Sequence, residues 1–88
     1  MQMTQHAIDR TLERRLPTHI LQAICDYGIE RRARGALSLT LDATSIALAA
    51  EDDQAREHEL KRYRGAYVVL SDTGLVITAA RRTRRFRN

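Results

Sequence analysis

Tryptophan is absent from this chain, cysteine and proline occur once each, and aromatic residues make up 5% of its 88 residues. The single thiol, Cys25, closes no intrachain disulfide and finds no second thiolate for a metal site, so it reads as a small buried apolar residue. His6, His19 and His58 are scattered, Glu57-His58-Glu59 spreads its polar groups around a helix, and Asp52-Asp53 lacks the spacing of a calcium loop. No metal and no cofactor is expected. The glycines Gly28, Gly35, Gly65 and Gly74 are isolated, which excludes a phosphate-cradling loop, and no nucleophile elbow is present. No apolar run reaches the roughly 18 residues of a membrane span, and the polar start Met-Gln-Met-Thr-Gln-His-Ala is not a signal peptide. The expectation is a bacterial-type cytoplasmic protein without a membrane partner.

Hydrophobic residues at 43% argue for a folded chain, and charged residues at 30% leave little apolar surface to spare. A chain this short forms one domain, residues 1–88, and hides only about 60 to 65% of the surface its unfolded form exposes. A homodimer is a simple remedy for so thin a core. Net charge is +4, but its distribution says more than its sum: residues 81–87 hold five Arg and no acid, while the rest of the chain carries ten basic and eleven acidic groups. Fourteen of the fifteen basic residues are Arg, whose planar guanidinium bonds phosphate or carboxylate bidentately. GC-rich codons give the same bias with no functional meaning.

In chain order, Ala7, Ile8, Leu12 and Leu16 recur at helical spacing, with Thr4 as N-cap and Pro17 closing the segment. A second helix starts after Pro17 with Thr18 as cap, runs through Ile20, Leu21, Ile24 and Tyr27, and ends at Gly28 in the left-handed C′ position. Ile29 to Gly35 reads as a basic connector. Leu37, Leu39 and Leu41 alternate with Ala36, Ser38 and Thr40, the pattern of a half-buried strand. Asp42 then caps a helix from Ala43 to Ala50. The apolar stripe fails at Glu51 and resumes at Leu60 and Tyr63, so the helical region breaks near Asp52 and Asp53. After Gly65, the runs Ala66–Leu70 and Leu75–Ala80 flank Ser71-Asp72-Thr73-Gly74, the signal of a β-hairpin. The fold class expected is α+β: two or three helices packed on one face of a small, mainly antiparallel three- to four-stranded sheet, with Tyr67–Leu70 and Leu75–Ile77 at its centre.

The arginine stretch carries the strongest functional signal. If it continues as a strand, Arg82, Arg84 and Phe86 face one way and Arg81, Thr83, Arg85 and Arg87 the other, so at least one charged face meets solvent or an anion. Five phosphate contacts give a log-affinity against log-salt slope of about −4 on duplex DNA or −3.5 on single strands. A solvated, solubilising tail explains the same residues. Arg31, Arg32 and Arg34 extend the patch if the first strand lies beside the last, and Phe86 and Tyr63 then offer stacking platforms for bases. Tyr67 reads as core filling.

The string Arg64-Gly65-Ala66-Tyr67-Val68-Val69-Leu70-Ser71-Asp72-Thr73-Gly74-Leu75-Val76-Ile77-Thr78 resembles small uncharacterised bacterial domains in which such a hairpin precedes a basic strand. More distantly, the order of elements resembles the RelE and barnase-like ribonuclease toxins. That resemblance implies transesterification of an RNA phosphodiester, with Arg81 or Arg85 stabilising the transition state and Glu57, His58 or Glu59 as base. Ala79, Ala80 and Arg81 depart from it, standing where an acid/base group belongs. The expectation is therefore a module that binds RNA or another polyanion through Arg81, Arg82, Arg84, Arg85 and Arg87, joined by Arg31, Arg32 and Arg34, with ribonuclease activity as its sharper variant. The alternative is a protein-interaction module whose basic end docks on an acidic partner or closes a homodimer by strand pairing.

Overall fold

The computed structural model describes residues 2–81 and contains helices α1 (Gln5–Glu13), α2 (Thr18–Tyr27), α3 (Ala43–Ala50) and α4 (Gln54–Lys61) and strands β1 (Ile29–Ala33), β2 (Ala36–Thr40), β3 (Ala66–Leu70) and β4 (Val76–Arg81). The strands form one antiparallel sheet in the order β1-β2-β3-β4. The α+β class follows from this arrangement.

Pairing of Leu39 with Val68, and of Val68 with Ala79, puts these side chains on one face of the sheet. All three are buried in a single core with Ala7 of α1, Ile20 and Ile24 of α2, Ile46 of α3 and Leu60 of α4. α1 packs on β4, α2 on β2, β3 and α3, and α4 on α3. The opposite face carries Ile29, Arg31, Ser38, Thr40, Tyr67, Val69, Thr78 and Ala80 by alternation. Tyr67 is half-buried there rather than part of the core.

Several local readings change. Ile29–Gly35 is not a connector: Ile29–Ala33 is an edge strand, and Arg34 and Gly35, at φ 51° and 76°, form the two-residue turn that folds it onto β2. Positive φ at both central residues matches the right-handed twist of a tight hairpin. In this order β3 is interior, and β4 is an edge among the described residues rather than the centre of the sheet. Its outer side is bridged at Val76 by the N-terminal chain, through Thr4 N–H to the Val76 carbonyl and Val76 N–H to the Gln2 carbonyl, both at 2.9 Å.

Thr4 does cap α1, accepting from the Ala7 N–H at 3.1 Å. The buried side of α1, however, is Ala7 and Thr11, while Ile8 and Leu12 are 38% and 73% exposed. α1 packs chiefly on the edge strand, so a narrow strip of small side chains suffices to seat it. Thr18 is the first residue of α2 and makes no cap; the Pro17 carbonyl takes the Ile20 and Leu21 N–H groups instead. Gly28 is not left-handed, with φ −58° and ψ 151°. Its requirement is close approach, since a Cβ there would stand 2.5 Å from the Ile24 carbonyl oxygen.

The helical hairpin of α3 and α4 follows the sequence closely. Asp42 and Ser45 form a reciprocal capping box: the Asp42 carboxylate accepts from Ser45 N–H at 2.8 Å, and Ser45 Oγ accepts from Asp42 N–H at 2.7 Å. The chain breaks at Glu51 and Asp52, with φ 50° and 68°, and Asp53 caps α4 through the N–H groups of Ala55 and Arg56. The Ser45 N–H holds the Asp42 carboxyl below the usual carboxylate range. A carboxyl with a lowered folded-state value stabilises the fold fully above its unfolded pKa, and that stability is lost as pH falls through the folded value. Asp42→Ala should therefore cost about 1 kcal/mol in urea unfolding at neutral pH. The difference from the parent should shrink below about pH 4, where the free carboxyl protonates. An undiminished difference at pH 3 would contradict an ionised cap.

Candidate functional site

Arg81 ends β4 opposite Ala66, so its side chain leans over the turn joining α4 to β3. There its Nη2 donates to the Arg62 carbonyl at 2.7 Å, and its guanidinium carbon stands 5.1 Å from the centre of the Tyr63 ring. Both contacts tie the cation to the C-terminal end of α4, where unpaired carbonyls favour positive charge. Arg81 Nε is buried without a partner among the described residues. Arg81 is thus half-buried and held by the fold, a pinning residue rather than an open phosphate contact, and Tyr63 presents its ring to Arg81.

The pin brings together cations that the sequence reading passed over. Lys61, Arg62 and Arg64 are exposed around the same turn. The two half-buried carboxylates of α4 are already engaged: Lys61 Nζ lies 3.4 Å from Glu57 Oε2, and His19 Nε2 lies 2.9 Å from Glu59 Oε2. Arg62 and Arg64 have no carboxylate partner among the described residues. The arginine-rich end of the chain starts from this corner. Arg82, Arg84, Arg85, Arg87 and Phe86 lie outside the described residues.

Arg31, Arg32 and Arg34 do not join the corner. β1 and β4 are opposite edges of the sheet, three strand spacings or about 14 Å apart. Arg31 shares the face not covered by helices, Arg32 takes the other face, and Arg34 projects from the turn; all three are exposed. They form a second basic feature, flanked by Glu30.

Of the acid/base candidates, Glu57 is tied to Lys61, His58 is exposed, and Glu59 pairs with His19 across two helices. Cys25 is half-buried against the core, and burial, followed by the nearby Asp26, pushes its thiol up, which keeps it protonated and unreactive. Among the described residues no three His, Cys, Asp or Glu side chains come together to hold a metal ion. No helix among them is long and apolar enough to cross a membrane.

The molecule is thus an α+β domain built as two helical pairs, each followed by a β-hairpin, with a basic corner where the second pair meets the last strand. No protein-family model, curated protein or solved structure matches the chain.

Proposed function

We propose that this protein binds single-stranded RNA or a similar polyanion at the corner formed by Lys61, Arg62 and Arg64, extended by Arg82, Arg84, Arg85 and Arg87. The observation that carries this reading is the 2.7 Å bond from Arg81 to the Arg62 carbonyl, which sets the start of the arginine-rich end beside Arg62 and Arg64, two guanidinium groups with no carboxylate partner among the described residues. Phosphate is the anion that such planar, bidentate donors match best, and a run of them suits a repeating anion.

A titration of a short labelled single-stranded RNA, followed by fluorescence anisotropy, tests the reading. Arg62→Glu with Arg64→Glu should weaken binding by about 30-fold or more at 0.1 M salt, as two lost phosphate contacts at about 0.7 log unit each give roughly 25-fold before repulsion is added. Arg10→Glu with Arg14→Glu, at the C-terminal end of α1 and its cap, makes the same charge change elsewhere and should cost several-fold less. Equal losses would reduce the effect to net charge. Binding to RNA and heparin without another protein separates this reading from a module specific for an acidic partner.

Cleavage is a second reading, favoured by the His19–Glu59 pair, because Glu59 lies one helical turn before Tyr63, on which Arg81 stacks. An imidazole and a carboxylate in contact offer the acid and base that phosphodiester transesterification needs. RNA recovered intact from the same titration would remove it.

A further inference from the structure

A groove of about 380 Å³ opens beside the basic corner, lined by Ala43 and Ile46 of α3 and by Glu57, Lys61 and Arg64 from α4 and the turn after it. Its floor is apolar and its rim is charged. The volume sits at the lower end of the range of small-ligand sites, about 300–1,000 Å³, which suits one nucleotide rather than a larger cofactor. Arg64 is the rim cation with no carboxylate partner among the described residues, and the Glu57 carboxylate is steadied by Lys61 at 3.4 Å.

Building on the RNA-binding reading above, we propose that this groove seats one nucleotide of the bound strand, its base on Ala43 and Ile46, its amino group donating to Glu57, and its phosphate on Arg64. The charge pattern selects this occupant. A purely apolar ligand leaves Arg64 without a counter-charge and makes no use of the remaining acceptor capacity of Glu57 beside Lys61, and a bare anion makes no use of the floor and meets the carboxylate. A nucleotide presents an anionic end, a flat apolar face and a hydrogen-bonding edge. An ionised carboxylate only accepts hydrogen bonds. Adenine, cytosine and guanine each offer an exocyclic amino group, while the uracil edge carries carbonyl oxygens on both sides of its one N–H. Glu57 therefore favours amino-bearing bases and disfavours uracil.

The test is a titration of the ¹⁵N-labelled full chain with AMP, CMP, GMP and UMP, and with inorganic phosphate at matched ionic strength, read by amide chemical shifts. AMP, CMP and GMP should move the amides of Ala43, Ile46 and Arg64, and bind about three- to tenfold tighter than UMP, the worth of one hydrogen bond to a half-exposed carboxylate. Glu57→Gln should bring all four nucleotides to within about twofold, because the amide both donates and accepts. Ala43→Leu, at an exposed position, should abolish the shifts at Ile46 while leaving the fold intact. Identical shifts with phosphate and with AMP would overturn the proposal, as would Ala43 and Ile46 amides that stay still. If RNA binds while AMP leaves the groove unmoved, the groove inference falls and the corner stands. If AMP fills the groove and RNA does not bind, the reverse holds.

Discussion

Gly28→Ala should lower the stability of the domain by about 3 kcal/mol, at the upper end of what overpacking a tight site costs. Gly28 lies between α2 and β1, in a backbone conformation that alanine adopts freely. The obstacle is space: a Cβ there would stand 2.5 Å from the Ile24 carbonyl oxygen, 3.1 Å from Leu39 Cβ and 3.1 Å from the Thr40 nitrogen. None of these can yield cheaply. The Ile24 carbonyl accepts the Gly28 N–H at 2.8 Å to close α2, Leu39 is buried in the core, and Thr40 pairs with Ile29 at the start of β1. With total stability of roughly 4–13 kcal/mol for a chain of this size, the loss is a large share. Thermal unfolding should show a midpoint lower by about 12–24 °C. Gly35→Ala is the comparison, since nothing lies within 4 Å of a Cβ there and only its φ of +76° opposes the change. That costs about 1–2 kcal/mol. Equal losses at the two sites would contradict the close approach of helix to sheet at Gly28.

Ending the chain at Arg81 should cut RNA affinity by about 10²- to 10³-fold at 0.1 M salt. The estimate treats the four arginines removed, Arg82, Arg84, Arg85 and Arg87, as four phosphate contacts. Each contributes about 0.7 to the salt slope on a single strand, so four contribute about 2.8 log units of affinity at that salt. The end point matters. Stopping at Ala80 would also remove the bond to the Arg62 carbonyl and the contact with Tyr63, and would mix a folding defect with a binding one. The salt slope should become shallower by about 3, and an unchanged slope would assign these arginines to solubility.

How far the sequence disclosed this molecule depended on whether a residue's role was local. The capping of α3 by Asp42, the break at Asp52 and Asp53, the alternation of β2 and the β3–β4 hairpin are set by neighbours in the chain, and they were readable. β1 was not, because Glu30, Arg31 and Arg32 are exposed on both faces of an edge strand and leave no hydrophobic alternation. The usable sign was Gly35 just before a strand, where a two-residue turn wants positive φ. The face of α1 misled for a related reason: Ile8 and Leu12 outweigh Ala7 and Thr11 in hydrophobicity, yet an edge strand offers too little surface to bury them.

The candidate site shows the same division. That the last strand is basic is plain from composition. That Arg81 turns inward is not, since its partners Arg62 and Tyr63 lie 19 and 18 positions earlier in the chain. Arg62 and Arg64 pass for solvated charges at a helix end until the hairpin register sets Ala66 against Arg81 and places them at the root of the arginine stretch. The distance between β1 and β4 depends on sheet order, which a missed strand conceals.

Amide chemical-shift mapping of the full chain against a short single-stranded RNA tests the central claim most directly. The account predicts shifts concentrated at Lys61, Arg62, Arg64 and Arg81, with Ile29 to Gly35 at the far edge of the sheet little changed. Shifts confined to Arg31, Arg32 and Arg34, or none anywhere at saturating RNA, would contradict it.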